Sequence, residues 1–298
     1  MRIVTRPDFD GVVCAVVFYE ACEITEAVNW VEPNEMQNNL VEINEDDIIA
    51  NLPFHENCAL WFDHHYSNIT DIKFNGSFKI APSAAGVAYE FFREKITKDF
   101  SELIKETDRI DSADLTVEEV LNPENYPYLL ISMTIVNKRD NEDIPYWNHL
   151  VSLLRTKDIH GVLEDTIVRD RCDIVVKENQ KYKEIIKQNS KLEGDVVILD
   201  LREFEKAPNG NRFIHYSMYP ESNVSMKIRR DDNDREKIVL SVGHNIFNKT
   251  CMVNVGKLLK NYNGGGHRGA GACSFHQKHA AKYIPEILNV LVTNKKND

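Results

Sequence analysis

Cys58-Ala-Leu-Trp-Phe62 is a compact apolar run that ends at once on Asp63-His64-His65. A stretch this short, apolar throughout and bounded by polar residues, reads as a strand buried on both faces, although a short buried helix has the same pattern. Taken as a strand, it belongs in an open α/β sheet, where ligands collect beyond the carboxyl ends of the strands. A carboxylate and two imidazoles stand at that end. One hard oxygen and two nitrogens suit manganese or zinc better than calcium or magnesium. Successive strand side chains point to opposite faces, so the triplet divides into one ligand, one orienting group and one imidazole facing a substrate. A solvated strand end is the simpler account of an isolated triplet, but the start of the chain changes the balance.

Arg2-Ile-Val-Thr5 is a short strand candidate, Pro7 marks a turn, Gly11 permits a tight entry, and residues 12–22 run on as an apolar helix. Asp8 and Asp10 share a face in extended backbone, and two carboxylates so close repel one another unless a cation neutralises them. An aspartate before a helix is also a good cap, which accounts for one of the two. Together with Asp63-His64-His65 they point to a two-metal site. Further strands are expected at residues 26–31 and 47–51, giving a parallel sheet with right-handed crossovers. Ser83 caps a helix over residues 83–92 that reads as scaffold. A helix over 100–107 leads into Asp108 and Asp111, which three-residue spacing places on one face; a solvated acidic terminus is the bland alternative.

From residue 146 the pattern is helical to 155 and again from 159 to about 192, a connector whose mixed charges form a solvated face. Strand candidates follow at 196–199, 212–218, 223–228 and 237–242, with 229–235 a polar hairpin loop. Between a helix at 253–262 and a strand at 272–275 lies Gly264-Gly265-Gly266-His267-Arg268. Three glycines let backbone N–H groups approach a phosphate as an anion nest, and His267 and Arg268 add charge-assisted donors. The expected fold class is α/β: a parallel-sheet domain over 1–155, a helical connector over 156–193, and a smaller mixed-sheet α/β domain over 194–298.

The net charge of −11 disfavours long duplex DNA, whose binding needs clustered Lys and Arg. A small anion in a locally positive cleft stays compatible. At 298 residues about two domains are expected, and 42% hydrophobic with 28% charged residues is ordinary for a globular chain. The six cysteines form no CxxC pair and sit mostly in apolar runs, as reduced core thiols of a cytoplasmic protein do. No leader pattern is seen and no run approaches the roughly 18 apolar residues of a membrane helix.

Asp8-Phe9-Asp10-Gly11, Trp61-Phe62-Asp63-His64-His65 and Gly264-Gly265-Gly266-His267-Arg268-Gly269-Ala270-Gly271, in that order, resemble the motifs of the DHH phosphoesterase family with its DHH-associated C-terminal domain. That family includes RecJ-type exonucleases, nanoRNase and pAp phosphatases, cyclic dinucleotide phosphodiesterases and, without the glycine-rich domain, exopolyphosphatases and family II pyrophosphatases. The resemblance implies a manganese- or magnesium-dependent phosphoesterase with one or two ions per chain, acting in a cleft between two lobes. It implies a late aspartate ligand, for which Asp108 is first choice and Asp111 the reserve, beside Asp8, Asp10 and His64. His65 would stabilise charge at phosphorus or assist the leaving group, and Asp63 would fix an imidazole tautomer. Gly264, Gly265, Gly266, His267 and Arg268 would grip a phosphate, with Ser241, His244 and Asn245 as further contacts.

Short oligonucleotides, pAp-like nucleotides or cyclic dinucleotides rank first as substrates and polyphosphate second; a binding-only member and a homodimer are both compatible. Two departures from the family pattern stand out. Val4 occupies the place of a histidine, and Asn51 the place of a metal-bridging aspartate, with Asp46 and Asp47 as rivals for that position. An amide is a weaker ligand than a carboxylate, so unequal metal sites are expected.

Overall fold

The structure, a computed structural model, describes residues 1–135, 143–208 and 210–297. Its elements run β1 (Arg2–Thr5), α1 (Phe9–Ala21), β2 (Asn29–Trp30), α2 (Pro33–Gln37), β3 (Asp47–Ala50), β4 (Leu60–Asp63), β5 (Gly76–Phe78) and α3 (Ala84–Phe91). Helices follow: α4 (Ser101–Asp111), α5 (Val117–Leu121), α6 (Pro127–Thr134), α7 (Asp143–Thr156), α8 (Ile159–Leu163) and α9 (Thr166–Asn189). The chain then gives β6 (Ser190–Glu193), β7 (Val196–Asp200), α10 (Ile214–Met218), β8 (Val224–Arg230), β9 (Lys237–His244), α11 (Val255–Lys260), β10 (Gly265–Gly266), β11 (Ala270–His276) and α12 (Ala280–Thr293). Two units result: Met1–Leu115 with Pro123–Val175, and Thr116–Asn122 with Val176–Asp298. Within residues 156–193, α9 begins in the first unit and ends in the second.

In the first unit every strand pairing is parallel, in the order β2-β1-β3-β4-β5. The apolar run supplies β4, buried on both faces. Trp61 turns one way, stacking on Phe78 at 5.3 Å between centroids and donating its Nε1–H to the Leu52 carbonyl at 2.9 Å. Phe62 turns the other way, 5.3 Å from Phe18 of α1 and 5.4 Å from Phe92. Truncating either ring would cost roughly 3–5 kcal/mol. Helix α1 is buried from Phe9 to Phe18 because α3, α4 and α7 pack around it, the environment an all-round apolar helix requires. Of the strand expected at 26–31 only Asn29–Trp30 forms, and β5 adds an edge that the sequence pattern did not suggest.

The second unit is a mixed sheet in the order β10-β11-β9-β8-β7-β6. One face carries Ile198, Met226, Ile228, Leu240, Val242 and Cys273 against α11 and α12. Residues 212–218 are not a strand. The Asn211 side chain accepts the Phe213 N–H at 2.9 Å and its carbonyl accepts from Ile214, a local turn that starts α10. Topology requires this, because β7 and β8 pair in parallel and parallel neighbours need a crossover. The long helix expected from 159 breaks between α8 and α9, and its last residues are β6, turned back onto β7 at Gly194 with φ +58°. None of the six cysteines is in a disulfide. Among the described residues no helix is long and apolar enough to cross a membrane.

Candidate active site

Asp10 lies in the first turn of α1 and is 1% exposed. Its two oxygens accept the Ala84 N–H at 3.0 Å and the Ala85 N–H at 2.8 Å, the open donors at the positive end of α3. Burial pushes its pKa well above the ordinary carboxylate range, and the nearby charges of Asp111 and Asp8 push further. A carboxylate placed this way asks for a cation.

The imidazole of His64 answers from the end of β4. Its Nδ1 contacts the Ala81 carbonyl at 2.9 Å, which fixes the proton on Nδ1 and turns the Nε2 lone pair inward. That Nε2 is buried without a hydrogen-bond partner, 3.7 Å from Asp10 Oδ2 and 3.4 Å from Asp111 Oδ2. One ligand atom from each of Asp10, His64 and Asp111 lies within 4.8 Å of the others. Two carboxylates and one neutral nitrogen fit a divalent cation of the manganese kind.

Of the two late-aspartate candidates, Asp111 and not the first choice Asp108 falls in this group. Asp108 Oδ1 is taken at 2.5 Å by the hydroxyl of Ser83. Ser83 in turn caps α3 by accepting the Gly86 N–H at 2.9 Å. Helix α4 extends to Asp111, so Asp108 sits inside its last turn and Asp111 at its end. Asp111→Asn is expected to weaken Mn2+ binding by roughly 100-fold or more, and Asp108→Asn by about tenfold, the range for orienting partners. Titration calorimetry giving the reverse order would return the ligand role to Asp108.

Asp63 is fully buried and serves its neighbours: His65 Nδ1–H donates to Oδ1 at 2.8 Å, and Asn68 Nδ2 donates to Oδ2 at 2.6 Å. The bond to Asp63 raises the His65 pKa, and the ring is 38% exposed. Asp8 caps α1 by accepting the Gly11 N–H, and Asn51 Nδ2 donates to it at 2.9 Å. Asp47 is no rival to Asn51: it lies at the far end of β3 in a two-point pair with Arg2 at 2.8 and 2.6 Å.

In the second unit the glycine stretch forms a hairpin, Gly265 opposite Ala272 and Gly266 opposite Gly271. The turn carbonyls of His267 and Arg268 accept the Gly256 and Val255 N–H groups at 2.9 Å, tying the hairpin to α11. A Cβ on Gly264 would fall 2.3 Å from the Ala272 oxygen, and one on Gly266 2.3 Å from the Ala270 oxygen, whereas one on Gly265 meets nothing within 4 Å. Packing demands two of the three glycines, while a side chain at Gly265 would have room. His267 and Arg268 are exposed and Ser241 is half-buried on β9. His244 Nε2 contacts the Val253 carbonyl at 2.9 Å. Asn245, expected to contact substrate, is 1% exposed, with its amide spent on the Ser222 carbonyl and its oxygen on the Phe247 N–H.

A buried carboxylate–imidazole–carboxylate group at the carboxyl ends of a parallel sheet, on a chain that continues into a glycine-hairpin sheet, defines the class of metal-dependent phosphoesterases. No family model matches the chain. Over 99% of its length and 99% of the other, the chain is 31% identical to a solved pGpG-specific phosphodiesterase, PggH of Vibrio cholerae, with a TM-score of 0.87. It belongs to the DHH phosphoesterase family. RecJ from Thermus thermophilus, solved in complex with Mn2+, shares the fold at 11% identity and a TM-score of 0.60, over 99% of this chain and 52% of RecJ. An uncharacterized 17.7 kDa protein of Acidianus ambivalens is 40% identical over 73 residues, 24% of this chain and 43% of that protein's length.

Proposed function

We propose that the chain is a manganese-dependent, cytoplasmic hydrolase of short linear phosphodiesters, with 5′-phosphorylated dinucleotides of the pGpG kind as substrates. The observation that carries this reading is the buried Asp10–His64–Asp111 group with an inward, unpartnered Nε2. The likeness to PggH over the whole chain supports the substrate class.

Asp10, His64 and Asp111 would hold the cation, which supplies Lewis-acid charge and an activated water when bound. The backbone amides of Ala84 and Ala85 keep both Asp10 oxygens in place, and the Ala81 carbonyl keeps His64 in one tautomer. His65, with Nδ1–H committed to Asp63, carries its second proton on the partly exposed Nε2, where it can be handed to the departing oxygen. In the second unit, the open Cα face of Gly265, beside the exposed His267 and Arg268, would meet a substrate phosphate.

Turnover of pGpG to mononucleotide with Mn2+, faster than that of pAp, a cyclic dinucleotide or polyphosphate, is the expected result. Preferred release of phosphate from pAp or polyphosphate would overturn the substrate class, and inactivity across the panel despite Mn2+ binding would overturn the enzymatic reading. Gly265→Ala provides a second check. It should leave the denaturant midpoint unchanged, because the added methyl has open space, yet raise KM several-fold. An unchanged KM would remove the hairpin from substrate binding.

A further inference from the structure

Asp8 is the carboxylate that a second cation beside Asp10 would need, and one of its oxygens is met by hydrogen-bond donors while the other faces a guanidinium. Oδ1 accepts the Gly11 N–H at 2.8 Å and the Asn51 amide at 2.9 Å. Oδ2 lies 3.3 Å from Arg6 Nε, and the same nitrogen lies 3.7 Å from Glu32. Asp8 belongs to neither group of potential ligands found among the described residues, Asp10–His64–Asp111 and Asp63–His64–His65.

Among the described residues, the positions beside Asp8 offer no replacement. Val4 is fully buried in an apolar cluster with Ile49, Leu52 and Trp61, and Asp47 is committed to Arg2 at the other end of its strand. Asn51 Oδ1 and Thr5 Oγ1 are buried without partners, but both are neutral, and a hard cation is held chiefly by anionic oxygen. Charge balance gives the same answer. Asp10 and Asp111 bring two negative charges to one divalent ion, whereas Asp8 shares the Arg6 guanidinium with Glu32, and a second ion at Asp8 would meet that guanidinium within repelling distance.

Resting on the phosphoesterase reading above, we propose that this centre holds a single divalent cation, at Asp10, His64 and Asp111, and that Arg6 and Asn51, bound to Asp8, stand where a second ion would be. The set does not fit two metals. Arg6 is suited to the exchange. Both of its ion pairs use Nε, and the side chain is 40% exposed, which leaves the Nη groups of a planar fork for a substrate phosphate oxygen. Asn51 has φ +56°, a left-handed conformation that Asn and Asp adopt more readily than other side chains, so an aspartate can occupy it without breaking the strand end.

Metal binding without substrate tests this, using Mn2+ as the probe in titration calorimetry and electron paramagnetic resonance. The wild type should take one ion per chain and give a mononuclear signal without spin coupling. Asp8→Asn should keep that stoichiometry with Kd changed less than about threefold, and Asn51→Asp should raise the count to two with a coupled pair. Two ions of similar Kd in the wild type, or an ion lost in Asp8→Asn, would overturn the single-ion centre. An Asn51→Asp variant that still binds one would overturn the part given to Asn51. Arg6→Ala should raise KM at least tenfold with partial recovery in Arg6→Lys, and an unchanged KM would remove Arg6 from the phosphate. The ion count stands apart from turnover: an inactive protein that binds one ion sinks the function and keeps this inference, and an active one that binds two does the opposite.

Discussion

Asp10→Asn is expected to reduce Mn2+-dependent turnover by roughly 10³-fold or more, since losing one charged ligand forfeits about 4 kcal/mol of the charge stabilisation that a bound ion gives. The substitution also disturbs the fold locally. Asp10 accepts two backbone N–H groups at the start of α3, and an asparagine can accept with only one of its two ends. The other turns an amide N–H toward a backbone N–H, at about 1–3 kcal/mol. Asp10→Ala leaves both donors buried and open, so asparagine is the milder test. Urea unfolding should show a lowered but cooperative transition, and turnover measured well below the midpoint then reports chemistry. A folded Asp10→Asn enzyme with undiminished activity would reject the site.

The first unit was legible because its strands are short apolar runs ending on polar residues, and a strand buried on both faces has little other way to be written. The second was less so. Residues 212–218 carry the aromatic and β-branched content of a strand, yet Asn211 turns the chain and Ile214 to Ser217 are buried as a helical turn. The helical pattern read to 192 ran through β6 because Lys and Glu at those positions fit an exposed helix and an exposed edge strand equally well. Only Gly194, in a left-handed conformation, marks the return.

At the site, Asp10 and His64 were visible as residue types in a telling order. The choice between Asp108 and Asp111 was not, because a helix thought to end near 107 leaves the rotation of both undecided. Ser83 engages one Asp108 oxygen, and the Ser-Ala-Ala-Gly start of α3 was the signal available, read as scaffold. The groups that hold Asp10 and His64, two amides and one carbonyl, are backbone, which every residue possesses and no sequence pattern reveals. Arg6 was passed over as part of the turn that contains Pro7, and only the folded chain shows its Nε 3.3 Å from Asp8.

The stabilisation conferred by Mn2+ is expected to grow as pH rises above the ordinary carboxylate range, by about 1.4 kcal/mol per unit for each proton the ion displaces. The sign comes from the carboxylates. Burial holds Asp8 up at about 6 and Asp10 well above its ordinary value. Groups whose folded pKa is raised contribute stability that is complete below the unfolded value near 3.8 and is lost as pH climbs through the folded value. In metal-free protein this penalty accumulates through about pH 6 for Asp8, and Asp10, raised well above its ordinary value, adds to it in the same direction. A bound cation keeps Asp10 ionised at no such cost, and protons compete with it at low pH. His215, pushed down to about 3 by burial, drives metal-free stability in the opposite direction below its unfolded pKa, but it is present with and without metal and cancels in the difference. Melting curves in EDTA and in saturating Mn2+ at each pH should therefore diverge by roughly 2 °C per unit for a chain of this size. In Asp10→Asn the two sets should run parallel. A metal-induced shift that is flat in the wild type, or that shrinks with pH, would mean that no buried carboxylate gives up a proton to the ion, and the centre built on Asp10 would fall with it.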